Sequence, residues 1–180
     1  MNEEKEKLEK QEIQQIAFAS SLPYPDICIT DNNPAYGRAM LDNVGGSNSE
    51  MTAISLYFYN NLITSCCEEI SVCFHRISIV EMHHMKIFGQ LAKNLGMDPR
   101  LWTRQGRRFA YWTPGYNQYP VQLNTLLLNA IRGEKAAVEK YHAQAGIIKD
   151  SNICAILDRI ILDEQLHIEI LTGLFEKYCH

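Results

Sequence analysis

Two Glu-x-x-His tetrads, Glu81-Met-His-His84 and Glu164-Gln-Leu-His167, interrupt otherwise apolar helical stripes, and this restricts the fold more than any other feature of the chain. In a helix, residues three apart share a face, so each carboxylate stands one turn from its imidazole. Stepping outward by four and three gives Ile70, Phe74, Ile77, Glu81, His84, Phe88, Leu91 and Leu95 for the first seam. The second reads Ile153, Leu157, Ile160, Glu164, His167, Leu171, Leu174 and Tyr178. Such stripes bury against other helices. A buried carboxylate costs several kcal/mol, on the order of a folded domain's margin, unless its charge is compensated. Metal cations bound by carboxylate and imidazole provide that compensation.

A third copy, Glu139-Lys-Tyr-His142, serves as an internal control. Glu139 lies five residues past Glu134, about 140° round the helix, so a surface position is expected for it. His75, His83 and His180 also fall off the seams and read as ordinary polar residues.

Two more acids join the pairs by hairpin arithmetic. Residues level with one another in an antiparallel hairpin are equidistant from its turn. Glu50 and Glu81 centre on 65.5, and Ser65-Cys-Cys-Glu68 has the form of a capping box at that turn. Glu134 and Glu164 centre on 149, beside an Asp150-Ser151 cap. Each hairpin thus presents one Glu level with a Glu-x-x-His, about 22 Å from its turn. Two packed hairpins bring Glu50, Glu81, His84, Glu134, Glu164 and His167 to one point, the ligand set of a two-metal carboxylate site in a four-helix bundle. Glu50 has a competing role, because Ser47-Asn-Ser-Glu50 also reads as a capping box after a break at Gly45-Gly46. Tyr57 and Tyr141 each lie seven residues beyond a Glu on the same face; they either hydrogen-bond the ligand carboxylates and relay protons, or fill the core.

The rest of the chain supports an all-α reading. Residues 1–33 form a charged arm followed by an extended strap around Leu22-Pro-Tyr-Pro25. Asn33-Pro34 opens the bundle, residues 34–180. The first helix is expected from Pro34 to about Ile63, the second from the turn near Ser65 to about Leu95, the third from Pro120, and the fourth from Ser151. Residues 96–119 carry Pro99, Gly106, Pro114 and Gly115 among six aromatics, which suits a long crossover packed along the bundle.

Net charge of -4 and a pI near 5.9 give no general attraction for nucleic acid or anionic membrane. Arg100, Arg104, Arg107 and Arg108 read as a solvated loop face. No apolar run reaches the roughly 20 residues of a spanning helix, and the charged start MNEEKEKLEKQ is unlike a secretion signal. A cytoplasmic location is the expectation. The six cysteines contain no Cys-x-x-Cys, and most are expected as small core hydrophobes.

One Glu, a Glu-x-x-His, a long crossover, one Glu and a second Glu-x-x-His resembles the ferritin-like di-metal carboxylate superfamily over residues 34–180. Val44-Gly-Gly-Ser-Asn-Ser-Glu50-Met is similar to the glycine-rich stretch of manganese catalases and related spore-coat proteins. Ala130-Ile-Arg-Gly-Glu134 is similar to rubrerythrins, which carry a further Glu where this chain has Ala137 and usually add an iron domain built on paired Cys-x-x-Cys.

The resemblance implies a ferritin-like four-helix bundle of two antiparallel hairpins, holding two Mn or Fe ions per chain. By that resemblance Glu81 bridges the metals, Glu50 and Glu134 are terminal ligands, and His84 and His167 each take one metal. Glu164 is a second bridge, as in rubrerythrins, or a proton acceptor, as in manganese catalases; Glu81 and Glu164 are the catalytic candidates. The implied activity consumes hydrogen peroxide or another small oxidant, with an external electron donor as a further partner and a homo-oligomer as the assembly. The alternatives are a structural or assembly protein akin to spore-coat components, with a spore-associated location, and a metal buffer.

Overall fold

The computed structural model describes residues 16–105 and 108–179. The expected N-terminal arm, Arg107 and His180 therefore lie outside the described residues. The chain forms a four-helix bundle of two antiparallel hairpins. Helix α1 spans Pro34–Gly45, α2 Glu50–Ile63, α3 Glu68–Asn94, α4 Leu123–Ile147 and α5 Ser151–Tyr178. The turns between α2 and α3 and between α4 and α5 centre on 65.5 and 149, as the spacing of the acids requires.

The expected first helix is two helices. Asn33 accepts from the Ala35 amide at 2.9 Å and Pro34 occupies the first turn of α1. The break at Gly45-Gly46 has a packing cause: a Cβ on Gly45 would meet the Trp102 backbone nitrogen at 2.7 Å, and one on Gly46 would meet the Asp42 carbonyl oxygen at 2.6 Å. The crossover backbone lies against the break, so close approach sets the residue type there.

The restart is capped by Ser49, whose hydroxyl faces the Thr52 amide at 3.4 Å, and not by the Ser47/Glu50 box. That frees the Glu50 carboxylate to point inward. The Ser65/Glu68 box is likewise absent: Cys67 is the cap residue of α3 and makes no side-chain cap bond. Helix α4 starts at Leu123, three residues after Pro120. The Asp150 cap forms as expected, accepting from Asn152 at 3.0 Å and Ile153 at 3.2 Å. Helix α3 ends in a Schellman motif, with Gly96 at φ +77°, Gly96 N–H to the Lys93 carbonyl and Met97 N–H to the Ala92 carbonyl.

The crossover contains a two-stranded hairpin that the sequence reading treats as loop. Strands β1 (Trp102–Gln105) and β2 (Arg108–Tyr111) pair antiparallel, Trp102 opposite Tyr111 and Arg104 opposite Phe109. Cross-strand aromatic contact supports the pairing, since Trp102 stacks on Phe109 at 4.5 Å between centroids. The chain then runs down α2: Trp112 Nε1–H donates to Thr52 Oγ1 at 3.0 Å, Asn117 Nδ2–H to Ser55 Oγ at 2.7 Å, and Tyr59 meets Tyr119 edge-on. Arg100, Arg104 and Arg108 are exposed, as expected for a solvated face.

Two apolar clusters fill the bundle and leave its ionisable band between them. One joins α1 to α3, α4 and α5 through Met40, Phe88, Leu91, Ile153 and Leu157. The other joins α2 to α3, α4 and α5 through Leu56, Phe74, Ile77, Leu127 and Leu171. Every seam position of α3 is buried; on α5 only Tyr178, at the frayed end, is exposed. The cysteine expectation fails. Cys73 alone is buried, Cys28 and Cys66 are exposed, and Cys67, Cys154 and Cys179 are half-buried, all as free thiols.

Candidate metal centre

All six predicted site residues converge in the band between the clusters, none more than 2% exposed. Glu50 comes from the first turn of α2, Glu81 and His84 from the middle of α3, Glu134 from α4, and Glu164 and His167 from α5. Their donor atoms fall into two sets, each within 4.8 Å: Glu50, Glu81, His84 and Glu164, and Glu81, Glu134, Glu164 and His167. Glu81 and Glu164 belong to both. Glu139 and His142 are exposed, as the control requires, and so are His75 and His83.

The two imidazoles are oriented from behind. His167 Nε2 lies 2.9 Å from the Phe18 carbonyl oxygen, which only accepts, so Nε2 carries the proton. His84 Nε2 lies 3.0 Å from Asp163 Oδ2, a carboxylate that also accepts from Tyr24 O–H and, at 2.6 Å, from Arg159. Both Nδ1 atoms therefore face the acids. His167 Nδ1 is 2.9 Å from Glu81 Oε1 and 3.1 Å from Glu164 Oε2; His84 Nδ1 is 3.3 Å from Glu164 Oε1 and 3.4 Å from Glu81 Oε2. In the neutral tautomer this aims lone pairs at carboxylate oxygens. Glu81 Oε1 and Glu164 Oε1 are buried with no partner in hydrogen-bonding geometry among the described residues. An imidazole lone pair and orphaned carboxylate oxygens converging on one point suit a cation, and the hard oxygen plus imidazole donors suit Mn or Fe.

Burial and neighbouring charge shift the ionisable groups of the cluster in opposite directions. Burial disfavours charge on His84 and His167, yet Glu164 and Glu81 push both imidazoles well above their usual range. Burial, with the Glu81 and Glu164 charges, raises Glu50 and Glu134 well above the carboxylate range. Glu81 goes the other way: burial opposes it, but the adjacent His167 and His84 imidazoles hold it well below.

Both tyrosines sit in the core with their hydroxyls on the acids. Tyr141 O–H donates to Glu50 Oε1 at 2.5 Å, and Tyr57 O–H donates to Glu134 Oε1. Each tyrosine reaches the acid of the opposite hairpin. Burial and those carboxylates raise both phenols well above their ordinary value.

Sequence reasoning missed Asp163, Arg159 and Tyr24. Asp163 lies one step, about 100°, off the seam, yet is fully buried. Burial works against its charge, but donors from His84, Tyr24, Ser20 and Arg159 bring its carboxyl down to about 2. The available signal was the i, i+4 pair Arg159/Asp163 beside a buried stripe.

A cavity of about 60 Å³ opens between α2 and α4 on the side away from the histidines. It touches Glu50, Glu81, Glu134, Glu164 and both tyrosines, and small residues Ala53, Ala130, Gly133 and Ala137 line the approach. A water occupies roughly 10–15 Å³ by this measure, so molecules of a few heavy atoms fit.

Residues 47–175 match the rubrerythrin family, whose span includes all six site residues. The chain belongs to the rubrerythrin family. Among solved structures, this rubrerythrin-family chain is similar to wild-type KatB, a manganese catalase from Anabaena, at 20% identity and a TM-score of 0.76. The match covers 89% of this chain and 80% of that one. A second KatB structure, from Anabaena PCC7120, matches with the same values. No curated protein matches. The fold is that of the ferritin-like bundle expected from the paired Glu-x-x-His seams.

Proposed function

We propose that the chain is a di-metal oxidoreductase, loaded with Mn or Fe, that consumes hydrogen peroxide. The observation that carries this reading is the pair of overlapping ligand sets sharing Glu81 and Glu164, with a small cavity against both. KatB's description as a manganese catalase, and the rubrerythrin family membership, support the same reading.

Two divalent metals at this site supply two-electron redox chemistry and bring four positive charges to balance four carboxylates. The protein's own residues do the rest. His84 and His167 present Nδ1 because their Nε2 protons are held by Asp163 and the Phe18 carbonyl. Glu50 and Glu134 are kept in place by Tyr141 and Tyr57. Glu81, and Glu164 with it or as a proton acceptor beside it, would be shared between the two ions, and both line the cavity, where a carboxylate can take and return the substrate's protons. Ala53, Gly133 and Ala137 line the cavity with small side chains beside the acids, leaving room there for a small molecule. Ala137, where rubrerythrins carry a further Glu, leaves that approach open.

The cavity favours catalysis over the structural and metal-buffer alternatives, because neither needs space beside the acids. The test is an assay of metal-replete protein for removal of hydrogen peroxide, alongside tert-butyl hydroperoxide. Rapid loss of the first and at least tenfold slower loss of the second is expected. Protein that holds metal but neither consumes hydrogen peroxide nor changes oxidation state on exposure to it contradicts the reading.

A further inference from the structure

The strap before α1 makes contacts that a mere linker has no need of. The Phe18 carbonyl accepts from His167 Nε2, and the Tyr24 hydroxyl, which donates to Asp163, lies 3.3 Å from His84 Nε2. Two residues of one seven-residue stretch, Phe18 and Tyr24, thus reach the outer nitrogens of both site histidines. The same stretch is stitched to α5: Ser20 N–H donates to Asp163 Oδ1 at 2.6 Å, Arg159 Nε–H to the Leu22 carbonyl at 2.7 Å, and Arg159 NH2 to the Ser20 carbonyl at 2.8 Å. The Arg159 guanidinium also lies 4.1 Å over the Tyr24 ring.

We propose that residues 18–24 form the rear wall of the metal centre, a positioning segment whose docking and the metal's binding strengthen each other. The inference rests on the metal reading above. Its physical basis is tautomer selection. With the strap docked, each Nε2 has an acceptor and each Nδ1 lone pair turns to the acids; with the strap away, the Phe18 carbonyl is lost to His167, Tyr24 is lost to the Asp163–His84 pair, and both rings are freer to turn. A metal on Nδ1 would fix the Nε2–H that the Phe18 carbonyl binds on His167 and that Asp163, itself held by the Tyr24 hydroxyl, binds on His84. Linkage then makes the effect reciprocal: docking tightens metal by the factor by which metal tightens docking. Tyr24 and the Phe18 carbonyl are positioning groups, and outer partners of metal-bound histidines contribute about 10–100-fold to affinity.

The experiment uses the full chain. Backbone hydrogen exchange is measured with chelator and with Mn(II), and Mn(II) is titrated into wild type, Tyr24→Phe and, as control, Val121→Ser, at a position outside the strap and the site that is 77% exposed. Mn(II) should slow exchange of the Ser20 amide and its strap neighbours at least tenfold more than amides of α1. Tyr24→Phe should bind Mn(II) about tenfold more weakly, while Val121→Ser binds as wild type. A purely structural Tyr24 would leave the metal-dependent protection unmoved. Wild type that binds two ions, with strap exchange equal in both forms or with Tyr24→Phe at wild-type affinity, overturns the clamp and leaves the site standing. Wild type that takes up neither Mn(II) nor Fe(II) overturns the site and the clamp together.

Discussion

Tyr141 on α4 donates its hydroxyl to Glu50 on α2 across the bundle, at 2.5 Å. With Tyr57 and Glu134 repeating the arrangement in the opposite sense, the two hairpins are cross-linked at the level of the site. Replacing either tyrosine with Phe keeps the ring in the core and removes one donor from a buried carboxyl. Each should cost about 1–3 kcal/mol of stability and about 10–100-fold in metal affinity or turnover. Thermal unfolding and metal titration of the two variants check this.

Glu81 belongs to both ligand sets and contacts both histidines. Glu81→Ala should abolish turnover and drop the metal content by at least one ion per chain, with helicity retained by circular dichroism. Loss of folding or assembly, with no turnover to lose in the wild type, would instead favour a structural protein.

The sequence disclosed the seams and the turn centres because both follow from local rules. The 3.6-residue period places Glu81 with His84, and equal arm lengths place Glu50 and Glu134 level with them. Caps were less legible: Ser47 and Ser49 are equally good cap residues, and local pattern alone does not rank them, whereas the Leu101–Trp102 backbone that packs on Gly45 comes from far along the chain. The β1–β2 hairpin was obscured by flanking Pro and Gly, although Trp-Thr-Arg-Gln and Arg-Phe-Ala-Tyr carry strand-forming residues. Asp163, Arg159 and Tyr24 form a network between the strap and α5, separated by more than a hundred residues, and no periodicity connects them.

Asp150 caps α5 and also pins the strap's end, accepting from the Thr30 amide at 2.6 Å, the Thr30 hydroxyl at 2.9 Å and the Asp31 amide at 3.0 Å. Burial opposes its charge, yet the Thr30, Asp31 and Ile153 amides bring the carboxyl down to about 2 from 3.8. The folded value is depressed, so its contribution is complete above the unfolded value and is lost as pH falls through the folded one. About 1–2 kcal/mol, allowing for screening, should therefore disappear between roughly pH 4 and pH 2. Asp150→Ala should cost about 2–4 kcal/mol at neutral pH, the lost cap plus orphaned amides, and Asp150→Asn less. Denaturant unfolding against pH measures both.

Gly45 and Gly173 give opposite signs for one substitution. A Cβ at Gly45 meets the Leu101 and Trp102 backbone at 2.9 and 2.7 Å, whereas at Gly173 nothing lies within 4 Å. Gly45→Ala should destabilise by about 1–3 kcal/mol as the crossover is pushed off α1, and Gly173→Ala should stabilise by up to about 1 kcal/mol through helix propensity. Paired unfolding curves decide it.

The most direct test of the metal centre is to count the metals and measure their separation, by elemental analysis and X-ray absorption on protein purified with Mn or Fe. Two ions per chain, about 3.5–4 Å apart with mixed oxygen and imidazole ligation, and fewer in Glu81→Ala, are expected. Protein that folds fully with neither ion bound under saturating Mn(II) and Fe(II) would contradict the account.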